Sequence, residues 1–456
     1  MPQIGVIGGG IAGLTAAYRL QQEDVSVHLL EATNRVGGVI QSTRTDGFLV
    51  EHGPNSLRPT SQLEAVITDL GLEDQRVWAN EAANTRYVVR DGTPVALPMS
   101  IGSFLTTSLF SMRAKVRLLA EPFIRARSGK TDESLASFTR RRLGAEVLDY
   151  AVAPFVGGVF AGDPASLSAQ HAFERLVELE EEHGSLFWGA LRSSRDDSGD
   201  DDAPSGLFSF RNGLETLPTA LADALDDVIY RNARVTSFHP NDAHWTVTLA
   251  APNDEPVPTE FDALICTVPL HQFSQIDFDT PVDRAPLKTV QYPPVSVVAL
   301  GYERDAIDHP LDGFGLLVPP VEDDVDVLGT IFSSTLFPGR APDDHVLLTT
   351  FVGGTRHPAL AQCAPETLQE RVQNDLDRLL GVTGSPLFAR QVRWPQAIPQ
   401  YTVGYEAVKD TLRDLETHHH TLFFAGNYRD GVSVGDAMTS GRTAANRTLD
   451  ALRASA

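Results

Sequence analysis

The chain opens on a short apolar run, Gln3-Ile-Gly-Val-Ile7, that passes directly into Gly8-Gly9-Gly10-Ile11-Ala12-Gly13 and then into a helical pattern through Leu20. Strand, glycine turn and helix in immediate succession predict the first half of a βαβ unit. A second run, Val25 to Leu30, predicts a parallel strand that ends at Glu31, about 20 residues beyond the glycines. Each position in the turn then has a physical task. Gly8 permits a tight bend, Gly10 lets the backbone approach a pyrophosphate, Gly13 lets helix and strand pack closely, and the amides at Ile11 and Ala12 sit at a helix N-terminus that favours an anion. Glu31, followed by Ala32, is placed to accept hydrogen bonds from a ribose. The glycine spacing alone is a common turn; the strand before it, the helix after it and the acid beyond it make it a dinucleotide site.

A chain of 456 residues exceeds one ordinary core, so two or three domains are expected, with room for a large cofactor inside. The formal charge of −23 argues against nucleic acid as a partner, because phosphate recognition needs a clustered basic surface. Four lysines, Lys115, Lys130, Lys288 and Lys409, stand among 37 basic residues, a bias that fits either a salt-rich cytoplasm or an ordinary acidic surface. Two cysteines, Cys266 and Cys363, make neither a disulfide framework nor a metal cluster, which fits a reducing compartment. No basic, apolar leader precedes the first strand and no run of about 18 apolar residues occurs, so the expectation is a cytoplasmic protein, soluble or held on one membrane face.

Further along, Met99 to Lys130 carries apolar residues at helical spacing (Phe104, Leu105, Leu109, Met112, Val116, Leu119, Phe123) among Arg113, Lys115, Arg117, Arg125 and Arg127. This is a locally basic amphipathic region in an acidic chain, either a helical subdomain with a solvated face or an interfacial membrane patch. Helix is expected again at Leu135 to Arg142, Ala172 to Glu182 and Asn212 to Leu225. Arg195 to Gly206 reads as a solvated acidic loop. Strands are expected at Asp227 to Phe238, which includes Val235, at Ala243 to Leu249, and at Phe261 to Val268. Alternating strands follow to Phe351, and a last strand, Thr421 to Phe424, runs into a helix from Ala437 to Leu452. His418 to His420 falls in a predicted turn with no cluster of metal ligands around it, so it is read as solvated, with no metal site.

Arg35, Gly37 and Gly38, in Glu31-Ala-Thr-Asn-Arg-Val-Gly-Gly38, extend the first motif in a way that resembles the second signature of flavoproteins that bind FAD. Phe424-Ala-Gly-Asn-Tyr-Arg-Asp-Gly-Val-Ser-Val-Gly-Asp-Ala437 is similar to the closing FAD motif of the same group, and it contains no cysteine for a covalent flavin. Several further segments resemble the protoporphyrinogen oxidase family in particular: Gly53-Pro-Asn-Ser-Leu-Arg58, Pro154-Phe-Val-Gly-Gly-Val-Phe-Ala-Gly-Asp-Pro164, Gly313-Phe-Gly-Leu-Leu-Val-Pro319, Leu328-Gly-Thr-Ile-Phe-Ser-Ser334, Thr350-Phe-Val-Gly-Gly354 and Trp394-Pro-Gln-Ala-Ile-Pro-Gln-Tyr401.

The resemblance implies an α/β fold: a Rossmann-like FAD-binding domain of the GR2 type over 1–75, 206–275 and 415–456, a β-rich substrate domain over 76–95 and 276–414, and a helical membrane-facing domain over 96–195, with 196–205 as an acidic loop. FAD, bound non-covalently, would be held by Gly8, Gly10, Ile11, Ala12, Gly13, Glu31, Ala32, Arg35, Gly37, Gly38, Gly53, Pro54, Val235, Gly426, Asn427, Val432 and Val434. For the substrate, the resemblance implies Arg86 on a propionate, against a solvated arginine as the plain reading, and Gly157 or Gly158 beside the ring. Leu317 and Phe332 would sandwich the macrocycle, with core packing the equal alternative for Phe332. Asn55 is the nearest polar candidate for a catalytic base by motif position; His52, close by, reads as structural rather than as a proton acceptor. The implied reaction is stepwise hydride transfer from protoporphyrinogen IX, six electrons in all, with molecular oxygen as acceptor and hydrogen peroxide as product. The alternatives are a coproporphyrinogen III oxidase of the same fold, an amine oxidase or carotenoid desaturase, and a flavin-binding regulator without turnover. Association of 99–130 with a membrane follows from the resemblance; the oligomeric state stays open, a homodimer included.

Overall fold

The computed structural model describes residues 1–127, 132–196, 206–241, 244–250 and 259–455. The Gln3–Ile7 strand is the centre of a five-stranded parallel sheet ordered Leu422–Phe424, Ala263–Cys266, Gln3–Ile7, Ser26–Leu30, Ile229–Tyr230. These strands are near-continuous apolar runs because both faces of the sheet are covered. On one face lie the helices Ile11–Gln21 and Val434–Ser455, packed with Ile4, Val6, Ile265 and Phe423. They approach very closely, since a Cβ at Gly441 would lie 2.1 Å from the Ala12 carbonyl oxygen. The other face packs Leu264, Cys266, Leu422 and Phe424 against Phe238, Trp245 and Phe278. The strand order carries the C-terminal ends of Gln3–Ile7, Ala263–Cys266 and Leu422–Phe424 to one edge, where open α/β sheets bind their ligands.

A seven-stranded sheet runs Phe388–Trp394, Val295–Glu303, His345–Gly353, Val327–Phe332, Gly315–Leu317, Arg86–Arg90, Thr93–Ala96. Its pairs are antiparallel except Gly315–Leu317 beside Arg86–Arg90. One face is closed by the helix Pro365–Leu380, with Leu316, Phe332 and Leu348 in the cluster beneath it. Toward the other face lie the helix Ala153–Phe160 and the hairpin Ser42–Thr45 and Phe48–Glu51, whose Phe48 stacks on Phe388 at 4.7 Å.

Most of the described residues between 101 and 196 lie in short helices. Ser100, Ser111, Ser134 and Ser168 each accept an amide hydrogen bond as N-cap, which sets where these short helices begin. The helix Leu135–Arg142 falls where its pattern predicts, and Arg142, fully buried, pairs with Glu121 beneath it. Lys115 departs from the amphipathic reading. It is buried, and its ammonium donates to the carbonyls of Leu105 and Thr107, so it is not a surface cation. Met112, Val116, Leu119 and Phe123 project instead, 71%, 62%, 60% and 90% exposed. The expected acidic loop falls outside the described residues over 197–205; its first residues, Arg195 and Asp196, end the helix Leu186–Asp196, so the helix runs further than the breakers suggested. His419 also departs from expectation: it is half-buried, 5.1 Å from the Phe278 ring and 5.3 Å from the Trp245 ring. Among the described residues no helix is long and apolar enough to cross a membrane.

Candidate active site

The glycine turn at the sheet edge is built as its spacing requires. Gly8 has φ +107°, which favours glycine. A Cβ at Gly13 would lie 1.9 Å from the Gly8 carbonyl oxygen, whereas one at Gly10 would meet nothing within 4 Å. Gly13 is therefore filled by the protein and Gly10 faces open space. Gly10 is the N-cap of Ile11–Gln21 and supplies no side-chain cap, so the amides of the first turn, at Ile11 and Ala12, are offered to an outside anion. Glu31 is fixed beside them: one carboxylate oxygen accepts the Gly9 N–H at 2.8 Å, and the other accepts the Thr33 N–H and hydroxyl, both at 2.8 Å. Ala32 follows, half-buried. The amides of Asn232 and Ala233 donate to the carbonyls of Thr33 and Glu31, which brings the chain just before Val235 to this end; Val235 itself is buried with Ile7 and Leu30.

The second motif folds onto the first. The Gly37 N–H donates to the Gly9 carbonyl at 2.7 Å, and a Cβ at Gly38 would lie 3.3 Å from Gly10 Cα. Arg35 does not reach toward the turn; its guanidinium donates to the carbonyls of Gly38 and Ile40 and pairs with Glu215 at 3.1 Å, so it shapes the loop that presents the glycines. Gly53 lies on this loop, its absent Cβ standing 2.4 Å from the Val39 carbonyl oxygen. Pro54 and Asn55 follow, and the Asn55 amide donates to the Gly53 carbonyl at 3.0 Å. At the third strand end, Gly426 has φ +140°, its N–H donates to the Ser440 hydroxyl at 3.1 Å, and the Asn427 carbonyl accepts the Tyr401 hydroxyl at 2.5 Å. Ser433 and Asp436 cap each other's backbone and start the last helix at Val434, with Val432 half-buried just before it.

One supporting residue was not legible from the motifs. Thr267, at the end of Ala263–Cys266, donates its hydroxyl to the carbonyls of Ile7 and Gly8 at 3.0 and 2.9 Å and so braces the first turn from the neighbouring strand. A threonine directly after a strand in this sheet is the signal that could have found it. Open space over Gly10, uncapped first-turn amides, a fixed acid and two glycine loops on one crevice fit a dinucleotide of the FAD type.

Beneath Asn55 a small cavity is lined by Glu51, Ile331, Ser333 and Arg340, among others. Glu51 and Arg340 are both 3% exposed by side chain and stand 3.4 Å apart. Burial pushes the Glu51 carboxyl up, against the pull of Arg340, the Ser42 hydroxyl and the Leu214 amide. His52 is 7% exposed, one ring nitrogen 2.9 Å from the Thr43 hydroxyl and the other 3.3 Å from the Gln41 side-chain amide oxygen Oε1. Burial lowers its pKa, and its partners fit the structural reading. The Asn55 amide cannot take a proton; it can only orient a partner.

The large sheet presents its other residues to the same space. A Cβ at Gly158 would lie 2.6 Å from Leu317 Cδ2, so the helix Ala153–Phe160 rests its glycine on that leucine, while Gly157 faces open space. The register pairs Leu317 with Gly329 and Gly329 with Phe351, which puts the leucine and Phe351 on one face with a glycine between them. Arg86 pairs with Gly315, and Gly315 with Ile331, further along the same face. Arg86 is half-buried, with its guanidinium 5.6 Å from the Phe314 ring centre. Phe332 is not part of this face. It is fully buried on the opposite side, with Leu316 and Leu348, its ring 5.5 Å from that of His309. Gly158 thus rests on a face that Leu317, Arg86 and the half-buried Phe351 share, while Phe332 has the core role.

The sequence family described as flavin containing amine oxidoreductase matches residues 11–449. Protoporphyrinogen oxidase 2, chloroplastic/mitochondrial, of Arabidopsis thaliana is 34% identical over 479 residues, covering 99% of this chain and 94% of that protein. Coproporphyrinogen III oxidase of Bacillus subtilis (strain 168) is 27% identical, covering 97% of each. In three dimensions, a candidate protoporphyrinogen oxidase from Exiguobacterium sp. 255-15 superposes with a TM-score of 0.81 at 24% identity, over 99% of both chains. The α/β flavoprotein fold expected from the motifs is therefore the observed one. With its glycine loops, its crevice and its full-length relatives, this chain belongs to the flavin containing amine oxidoreductase family and is an FAD-dependent oxidoreductase.

Proposed function

We propose that the chain oxidises a porphyrinogen, with protoporphyrinogen IX as substrate and protoporphyrin IX as the product of removing six electrons. The observation that carries this reading is the apolar face of Leu317, Gly329 and Phe351, with Gly157 and Gly158 over it and Arg86 beside it. A flat macrocycle needs such walls and close backbone, and its propionates need a cation able to bind a carboxylate bidentately. FAD, when bound at the glycine loops, supplies the two-electron acceptor. The protein's part is to hold and orient the macrocycle and to exclude competing paths. Asn55, its amide held by the Gly53 carbonyl, would direct a hydrogen bond at the substrate, and molecular oxygen would take the electrons from bound FAD, with hydrogen peroxide as the product. The higher identity to the Arabidopsis protoporphyrinogen oxidase, 34% against 27% for the Bacillus coproporphyrinogen III oxidase, favours the first substrate over the second. Anaerobic mixing of the yellow protein with each porphyrinogen tests this. Faster flavin bleaching by protoporphyrinogen IX, then porphyrin fluorescence and peroxide on admitting air, supports it. Faster bleaching by coproporphyrinogen III moves the assignment to that substrate, and bleaching by neither sinks both.

We also propose that the helical region rests on a lipid surface. Met112, Val116, Leu119 and Phe123 repeat at helical spacing on an exposed face, and Arg113 and Arg125 are exposed close by. That combination suits an interface in which apolar groups enter lipid and cations meet head groups. Flotation with anionic vesicles should be lost on changing Val116 and Phe123 to Glu; unchanged flotation would remove the proposal.

A further inference from the structure

The segment from Trp394 to Tyr405 leaves the outer strand of the large sheet and ties together three separate parts of the site. The Trp394 indole N–H donates to the His52 carbonyl at 2.7 Å, one residue before Gly53. Gln400, 1% exposed, donates to the Phe160 carbonyl at 2.8 Å, at the end of the helix that carries Gly157 and Gly158. Tyr401, 2% exposed, donates its hydroxyl to the Asn427 carbonyl at 2.5 Å and accepts the Gly431 N–H at 3.1 Å. Four residues on, the Tyr405 hydroxyl donates to the Tyr428 carbonyl at 2.7 Å.

The Tyr401 contacts differ from the others in kind. Residues 427–431 form a loop between the Leu422–Phe424 strand and the last helix, with Gly426 at φ +140° and Gly431 at φ +146° around it. Glycine at both ends gives the loop wide backbone freedom. One hydroxyl bridging the carbonyl of residue 427 and the amide of residue 431 closes the loop as a backbone hydrogen bond would, but from outside it. Burial holds the Tyr401 phenol neutral, well above its ordinary titration range, so it keeps both the proton it donates and the lone pair it offers.

We propose that Tyr401 is a positioning residue for the flavin: its hydroxyl sets the span from Asn427 to Gly431 and so holds Asn427 and Val432–Val434 against the cofactor. The proposal rests on the reading that this loop contacts FAD. Tyr405 is the internal control, because its hydroxyl is equally buried and bound to the next carbonyl but makes no bridge to Gly431.

The test is FAD titration into the full-length apoproteins of Tyr401→Phe, Tyr405→Phe and Gly426→Ala, with apoprotein melting followed in parallel. Tyr401→Phe should weaken FAD about tenfold or more, the equivalent of about 1.4 kcal/mol, and blur the vibronic structure of the visible flavin band. Its apoprotein should melt with that of Tyr405→Phe, whose FAD affinity should stay within about twofold of the parent. If Tyr401→Phe binds FAD as the parent does, or loses no more than Tyr405→Phe, the clamp is overturned. Gly426→Ala reports on the underlying reading, since it strains φ and puts a Cβ 2.9 Å from the Tyr428 ring. Unchanged FAD affinity there removes the loop from the cofactor site, whatever Tyr401 does.

Discussion

Gly10 and Gly13 stand one turn apart, and the structure gives them opposite burdens that alanine substitution can separate. At Gly13 the new Cβ would lie 1.9 Å from the Gly8 carbonyl oxygen and 2.8 Å from the Thr267 hydroxyl. The first contact is about 1.5 Å inside ordinary van der Waals distance, and its partner is backbone, which cannot rotate away. The helix Ile11–Gln21 must lift from its strand, taking with it Leu14, Ala16, Ala17 and Leu20, all fully buried. Overpacking of this kind costs about 1–3 kcal/mol or more. At Gly10 the Cβ would meet nothing within 4 Å, and the backbone, φ −73° and ψ 177°, is extended and open to any residue. The loss there is only that of a poorer N-cap, about 1 kcal/mol or less. The space the methyl takes is the one over the first-turn amides, so cofactor binding should fall about tenfold or more, the equivalent of about 1.4 kcal/mol. Urea unfolding of the apoproteins and FAD titration by flavin fluorescence read the two quantities independently. Gly13→Ala should lose both stability and FAD; Gly10→Ala should lose FAD with no more than the small cap loss in stability. Parental FAD affinity in Gly10→Ala would refute the placement of the diphosphate, and parental stability in Gly13→Ala would refute the packing argument.

Arg340→Ala should destabilise by about 3–5 kcal/mol in denaturant unfolding, because it leaves Glu51 buried without its cation; Arg340 also holds the Phe210 carbonyl and the Ser209 hydroxyl, and a loss under about 1 kcal/mol would show the pair to be dispensable. Asp375 is buried and accepts the amides of Asp326 and Val327, yet burial pushes its carboxyl up to about 6. Its folded pKa thus lies above the unfolded value of about 3.9, so the stability it contributes is present below about pH 4 and lost as pH rises through about 6. Asp375→Asn should flatten that part of the stability profile and be more stable at pH 8 by about 1–3 kcal/mol; parallel profiles for the two proteins would count against it. Gly157→Ala, in a helix and facing open space, should stabilise the fold by about 1 kcal/mol of helix propensity, seen as a slightly higher melting temperature, and raise KM for the porphyrinogen; an unchanged KM would move the macrocycle away from Gly157.

The cofactor end of the site was legible because its information is local. A turn after a strand must have glycine at the bend, at the approach and at the packing point, so the spacing, read with the strand before it and the helix after it, gives Gly8, Gly10 and Gly13 their tasks, whereas the loop-shaping role of Arg35 toward Gly38, Ile40 and Glu215 needed the fold. What lay beyond reach depends on distant partners. Lys115 reads as a surface cation until the carbonyls of Leu105 and Thr107 come within reach of its ammonium. His419 reads as a turn residue until Trp245 and Phe278 are folded against it. Thr267 supports a glycine turn more than two hundred residues before it through a strand pairing that no local pattern announces.

The exchange of Phe332 for Phe351 follows from the same limit, at the scale of one residue. Both phenylalanines sit in strands of the large sheet, and each belongs to a segment whose likeness to the family is equally plain. What separates them is parity: side chains alternate along a strand, and a shift of one residue moves every side chain to the other face. The pairing of Val327–Phe332 with His345–Gly353 carries an irregularity between Val327 and Gly329, after which Gly329 faces Phe351 and Phe332 faces Leu348. From that point Gly329 and Ile331 share the face of Leu317 and Phe351, with Ile331 lining the cavity beneath Asn55, while Thr330, bonded to Thr350, and Phe332 look into the core beneath the Pro365–Leu380 helix. Alternation counted from either end of the strand gives opposite answers across such a bulge. Gly329 is the residue that resolves it. A Cβ there would lie 2.7 Å from the Leu316 carbonyl and 3.1 Å from Leu317 Cδ2, so a glycine is needed where the leucine and Phe351 flank one position. Gly329 thus leaves room between Leu317 and Phe351, on the face where the proposed macrocycle would rest.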